Sequence, residues 1–345
     1  MSIRESGSIG FRPKRRSAVS LSAGALVSAR PLLADGPTPL LLTPAVDGVN
    51  ALSWVEANRD QVREQVLRHK AVLLRGFTVG DVAEFEQIVR LVGGDAVDYA
   101  YGSTPRSHVA GNVYTSTEYP ASQEIPQHNE MAYSRSWPLT LGFYSVLAAP
   151  EGGETPLASS TRVFDRIPAA IRDRFAEQGV MYVRNCGQGL DLPWQNVFQT
   201  ESRAEVEEFC GGAGIEYEWL DGDRLRTRQV CQSVVTHPET GETAWFNQAH
   251  LFHISALAPE LRETLLATFG VDGLPRNSYY GDGSPIDEAD LDRIRRIYQE
   301  EAIVFPWQDG DITILENMLV SHGRRPFSGP RKLVVSMAGA GGKEQ

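Results

Sequence analysis

His128 and Glu130 flank a single residue, Asn129, and another histidine, His322, stands far downstream. In an extended segment, side chains two apart point the same way. His128 and Glu130 can therefore reach one ion from a strand or strand end, and His322 can close on it from distant sequence. Two imidazoles and one carboxylate cap one face of an octahedron and leave the other face open, an arrangement that suits non-heme Fe(II). In such a centre His128, Glu130 and His322 are at once the metal ligands and the catalytic residues. Each signal is weak alone. A His-x-Glu pair arises by chance, and His322 before Gly323-Arg324-Arg325-Pro326 also reads as a surface histidine beside a turn.

Arg331 opens the apolar run Lys332–Met337, where a cation needs a reason. A guanidinium grips a carboxylate bidentately, and the end carboxylate of a dicarboxylic co-substrate is the obvious guest. Arg324 and Arg325 are rivals for that task, and a salt bridge at the rim is the plainer role for Arg331. Gly152-Gly153-Glu154-Thr155 permits close backbone approach and offers the Thr155 hydroxyl to the same carboxylate. Arg106, Asn112, Tyr114 and Thr117, upstream of the His-x-Glu pair, are candidate substrate contacts, although a structural loop explains them equally well. His250 and His253 are spaced like a metal pair. With a triad already complete, they are expected to be supporting or structural.

These residues need a scaffold that brings separate strands to one point. Trp54 to His69 has helical periodicity with Val55, Val62 and Leu67 on the buried face, and Val82 to Val92 forms a second helix stopped by Gly93-Gly94. Lys70–Phe77 between them reads as a short buried strand. Beyond it lie short β segments at Leu139–Leu147, Val180–Arg184, Gln229–Val235, Ile312–Leu315 and Lys332–Met337. Helices are expected at Arg166–Gln178, Ala204–Phe209, Pro259–Phe269 and Glu288–Glu301. The expected class is mainly β with flanking helices, a distorted double-sheet jelly roll whose inward positions alternate along each strand. Residues 1–16 read as a loose basic tail and 17–345 as a single domain with helical insertions. The stretch Cys186–Trp194, rich in Gly and aromatics, suggests a lid.

Composition narrows the class further. A net charge of −11 speaks against a broad nucleic-acid interface. Three scattered cysteines, Cys186, Cys210 and Cys231, form neither a disulfide framework nor a zinc cluster and point to buried thiols in a reducing compartment. No apolar run reaches the ~18–20 residues of a membrane span. Lys14-Arg15-Arg16 before a short, serine-interrupted apolar stretch imitates a twin-arginine export signal, but no small-x-small cleavage site follows. The expected location is the cytoplasm.

Three stretches, Pro126-Gln-His-Asn-Glu-Met-Ala-Tyr133, Glu151-Gly-Gly-Glu-Thr-Pro156 and Ser321-His-Gly-Arg-Arg-Pro-Phe-Ser-Gly-Pro-Arg331, resemble motifs of the taurine dioxygenase superfamily. Trp245–His250, Tyr280–Pro285 and Phe305–Asp311 are also similar to it, so the resemblance runs from about Ala71 to Met337. Glu130, where aspartate is the alternative, points to the clavaminate synthase-like branch. That branch includes β-hydroxylases of amino acids in peptide antibiotic pathways, such as the aspartyl hydroxylase of syringomycin assembly.

The resemblance implies a double-stranded β-helix core with Fe(II) on His128, Glu130 and His322. It implies 2-oxoglutarate as co-substrate, with Arg331 on its distal carboxylate and Thr155 nearby, and O2 as oxidant. It implies hydroxylation of an amino-acid-like small molecule, free or presented by a peptidyl carrier protein, in specialised metabolism; desaturation or ring closure needs only another fate for the same substrate radical. Leu315-Glu316-Asn317 departs from the family's frequent Leu-Asp-Asn, outside the ligand set. The same three ligands also suit a catalytic zinc, but a zinc hydrolase gives Arg331 no role and the chain lacks His-Glu-x-x-His. An inactive jelly-roll binding protein is the last alternative, and the intact ligand set speaks against it.

Overall fold

Leu40, Leu42, Val72, Leu74, Ile312, Ile314 and Val334 belong to one buried cluster; their chain neighbours Leu41, Ala71, Leu73, Leu315, Leu333 and Val335 belong to another. Successive strand side chains point to opposite faces, so these strands form the middle of a sheet covered on both sides. The computed structural model describes residues 26–33, 39–97, 101, 108–115, 119–187 and 192–342. The basic tail expected over 1–16 lies outside them.

The main sheet runs in the order Val27–Pro31, Leu40–Pro44, Ala71–Leu74, Ile312–Glu316, Ser136–Leu147, Lys332–Gly342, Val113–Thr115, His108–Ala110. Its neighbours are antiparallel except Leu40–Pro44 with Ala71–Leu74. A parallel pair needs a crossover, and helices Ala51–Ala57 and Arg59–His69 supply it. With helix Val82–Gly93, they cover the outer face through Val55, Val62, Val66, Phe85, Ile88 and Val89. The inner face packs on Leu157, Val320, Phe246 and Trp307. Leu157 and Val320 come from a second sheet of Ile125–His128, Val320–Arg324 and Leu157–Ser159. Two sheets closing on a shared interior make the distorted double-stranded β-helix.

A third sheet, Glu216–Leu220, Arg224–Cys231, Val180–Cys186 and Arg276–Tyr280, packs with helices Ser160–Arg166, Ala169–Gln178, Arg203–Ala213 and Glu288–Glu301. The three cysteines are free and buried in this region. No helix among the described residues is long and apolar enough to cross a membrane.

The structure corrects several element boundaries. The helix expected over Trp54–His69 is two, because Asn58 ends the first, its side chain donating to the Trp54 carbonyl at 2.8 Å, while its own carbonyl accepts from Val62 at 2.9 Å. The second helix therefore buries Val62 and Val66, four apart, and leaves Leu67 half-buried. The helix expected over Arg166–Gln178 breaks at Ile167-Pro168, where proline disfavours helical backbone in the residue before it. The run Gln229–Val235 is shared between two strands, Arg224–Cys231 and Val234–Thr236.

Candidate metal centre and co-substrate pocket

Strand Val320–Arg324 lies antiparallel to Ile125–His128, and its register sets His322 directly opposite His128. Their rings stand 4.5 Å apart. Glu130 is not on the strand, which ends at His128; it sits in the turn that follows. Face alternation alone therefore does not aim it. Asn317 does, accepting from the Glu130 N–H at 2.8 Å and donating to the Glu130 and Pro138 carbonyls at 2.9 and 2.8 Å. One ligand atom from each of His128, Glu130 and His322 then falls within 4.8 Å of the others. Glu130 Oε2 stands 3.6 Å from His322 Nε2. That is too long for a direct hydrogen bond, and close enough for both atoms to reach one ion placed between them.

The neighbours of the three residues are fixed as well. His128 Nδ1 donates to the Pro126 carbonyl at 2.9 Å, which leaves Nε2 as its ligand atom. The His322 ring rests against Phe143 at 5.0 Å. Gln127 Oε1 accepts from Ser321 Oγ at 3.0 Å, so the residues preceding the two histidines are bonded to each other. Asn129 donates to Ser160 Oγ and to the Asn317 carbonyl.

His250 is no ligand. Its Nε2 donates to the Gln127 carbonyl at 3.0 Å, its ring stacks on Tyr298, and burial depresses its pKa to about 3. His253 Nδ1 accepts from the Ser255 N–H and caps a short turn. Because the folded His250 stays neutral while the unfolded imidazole titrates near 6.5, the unfolded chain takes up the proton first as pH falls. The stabilisation is complete above about pH 6.5 and is lost progressively towards pH 3. Thermal melts between pH 7 and 4 should show a decline that His250→Asn makes shallower.

The segment after Pro150 runs alongside the distal histidine strand. His322 pairs with Leu157, Gly323 N–H with the Pro156 carbonyl, Arg325 N–H with the Glu154 carbonyl, and Phe327 with Gly152. Thr155 is thereby carried beside His322, 4% exposed, with Trp307 Nε1 donating to its Oγ1 at 3.1 Å. Gly152 and Gly153 have φ of +71° and +72°, and a Cβ on Gly153 would meet Arg331 Nε at 2.9 Å. The glycines let Arg331 lie flat on this segment, its Nε donating to the Gly153 carbonyl at 3.2 Å. Burial pushes the Arg331 guanidinium down to about 10, with Arg324 adding to the push and Glu154 opposing it, so it stays charged at neutral pH. Arg324 is committed elsewhere, donating to the carbonyls of Tyr119, Pro120 and Gln123. Arg325 is exposed.

A family model described as Taurine catabolism dioxygenase TauD, TfdA family matches residues 35–337. The chain belongs to this family. The TauD/TfdA-family chain is 40% identical over 308 residues to dapdiamide synthesis protein DdaC of Enterobacter agglomerans, covering 89% of this chain and 93% of that one. It is 29% identical over 318 residues to a clavaminate synthase-like protein of Arabidopsis thaliana, with the same two coverages, 89% and 93%. Its fold matches the crystal structure of PvcB from Pseudomonas aeruginosa, with a TM-score of 0.52 at 17% identity over 95% of both chains. The protein is thus an Fe(II)- and 2-oxoglutarate-dependent dioxygenase of the TauD/TfdA family, and the zinc hydrolase and inactive binding-protein alternatives fall away.

Of the suggested substrate contacts in this TauD/TfdA chain, Tyr114 pairs with Val335, which pairs with Phe143 on its other side. Residues directly opposite share a face, so Tyr114 is on the wall that carries Phe143 to His322. Asn112 is elsewhere: its N–H bonds Glu86 of the outer helix at 3.1 Å. Arg106 and Thr117 lie outside the described residues, as do residues 188–191 of the suggested lid. Sequence reasoning named Asn317 only within the Leu315-Glu316-Asn317 motif and missed its part in aiming Glu130. Its signal was an amide, able to donate and accept together, directly after a wholly buried strand.

Proposed function

We propose that this dioxygenase hydroxylates an unactivated C–H bond of an amino acid or amino-acid-derived small molecule in the cytoplasm, in specialised-metabolite or antibiotic biosynthesis, a reading supported by its similarity to a protein named for dapdiamide synthesis. The substrate is free or held by a peptidyl carrier protein. His128, Glu130 and His322 hold Fe(II), and Arg331 with Thr155 holds the distal carboxylate of 2-oxoglutarate. The observation that carries the reading is the register that opposes His128 and His322, with Glu130 brought to both.

Bound here, Fe(II) with 2-oxoglutarate and O2 would supply oxidative decarboxylation of the co-substrate to succinate and CO2, coupled to oxidation of the substrate. The chain's own part is placement and dryness. The Pro126 carbonyl holds the His128 proton on Nδ1, so Nε2 would be the atom that binds the metal. Phe143, Leu157 and Val320 line the interior with apolar surface, which strengthens each charge interaction there. Arg331 supplies a fixed positive charge that orients one end of the co-substrate.

The test is anaerobic. Apoprotein is loaded with Fe(II), then 2-oxoglutarate is added and the visible spectrum recorded. A weak metal-to-ligand charge-transfer band is expected, absent in His128→Ala and requiring more 2-oxoglutarate in Arg331→Ala. Bound iron with no band at any 2-oxoglutarate concentration would sink the assignment of these residues.

A further inference from the structure

Two hydroxyls on the inner wall of the main sheet are buried and have no hydrogen-bond partner: Thr313 Oγ1 and Ser145 Oγ. Thr313 pairs directly with Phe143, whose ring meets His322. Ser145 pairs with Leu333, two residues beyond Arg331. Their direction follows from parity. Ile312 and Ile314 face the outer helices and Leu315 faces inward, so Thr313 faces inward. Tyr144 packs outward on Phe85, so Phe143 and Ser145 face inward. The two hydroxyls are diagonal neighbours across the strand pair, on the strip of wall between the His322 end and the Arg331 end of the interior.

We infer that Thr313 and Ser145 are further 2-oxoglutarate-binding residues, donating hydrogen bonds to its distal carboxylate from the sheet side, opposite Thr155. The inference rests on the placement of 2-oxoglutarate against Arg331 and Thr155. A buried hydroxyl without a partner destabilises the fold, so its retention calls for an explanation. A carboxylate offers about four lone-pair sites. A bidentate guanidinium and one threonine fill three, and the two hydroxyls on the facing wall share the fourth. The wall is otherwise apolar here, with Leu73, Phe143 and Val335 in the same row as Thr313. The molecule also contains its own control. Ser336 Oγ is equally buried and equally without a partner, yet Ser336 alternates with Val335 and pairs with Gly142 on the helix-covered face.

The experiment is an anaerobic titration of the Fe(II)-loaded full chain with 2-oxoglutarate by calorimetry, beside Fe(II) titrations and thermal melts without co-substrate. Thr313→Val and Ser145→Ala should each weaken 2-oxoglutarate binding roughly tenfold, the scale of a hydrogen bond to a charged group. Fe(II) affinity should not change, and the melting temperature without co-substrate should not fall. Thr313→Ser, which keeps the hydroxyl, should restore binding, and Ser336→Ala should bind 2-oxoglutarate like the parent. Binding within twofold of the parent in both Thr313→Val and Ser145→Ala overturns the inference, as does an equal loss in Thr313→Ser. If Arg331→Ala also binds like the parent, the pocket placement itself has failed, an outcome separable from failure of the two hydroxyls alone.

Discussion

Glu130→Ala is expected to purify as a folded protein that binds Fe(II) more than about 100-fold more weakly and turns over no substrate, because a ligand should count for more than the ten- to hundredfold typical of its supporting shell. Its melting temperature without metal should stay close to that of the parent, since the carboxylate sits in a turn and its backbone is held by Asn317. Asn317→Ala is the informative partner. It leaves all three ligands in place but strips the Glu130 N–H and the carbonyls of Glu130 and Pro138 of their partner. Each orphaned buried group costs about 1–3 kcal/mol, so Asn317→Ala should lose metal affinity by about 10- to 100-fold and melting temperature together. Isothermal titration with Fe(II) and thermal melts on the two variants separate the roles. A parental iron affinity in Asn317→Ala would show that the turn holds Glu130 unaided.

Arg63→Met is expected to destabilise the fold by about 3 kcal/mol, the low end for breaking a buried ion pair from one side. Glu316 is fully buried, and its Oε2 accepts from Arg63 Nη1 at 2.7 Å. Its Oε1 faces His237 Nε2 at 3.4 Å. His237 Nδ1 accepts from the N–H groups of Glu239 and Thr240, which places the imidazole proton on Nε2, towards Glu316. Removing the guanidinium leaves the carboxylate among groups that cannot neutralise it. Arg63 keeps 21% of its side chain in solvent, hence the low end of the range. Arg63→Met combined with Glu316→Leu should recover most of the loss, because an apolar pair avoids burying a charge at all. Denaturant midpoints on the single and double variants check this. A single variant within about 1 kcal/mol of the parent would mean that solvent screens the pair.

The candidate ligand set was legible because its chemistry rests on residue type and order, which a strand or a turn can serve alike, and the fold brings the three residues together. His128, Glu130 and His322 needed only to meet. How they meet was less visible. The pairing of Val320–Arg324 with Ile125–His128 is non-local, and nothing in either segment names the other as its partner. Arg324 and Arg331 look interchangeable as letters; only the loop carbonyls around Arg324 and the glycines beneath Arg331 tell them apart. The inner and outer faces of Ile312–Glu316 were hidden for a simpler reason. A strand buried on both faces carries little polar alternation, so Thr313 stood in the sequence without a direction.

The opposition of His128 and His322 across two strands also constrains the order in which the protein can be completed. Synthesis delivers His128 and Glu130 first, and the strand that carries His322 and the asparagine that orients Glu130 emerge much later. A growing chain therefore has no complete candidate ligand set to offer a metal ion. His128, Glu130 and His322 can close on one ion only after the two strands that carry the histidines have paired.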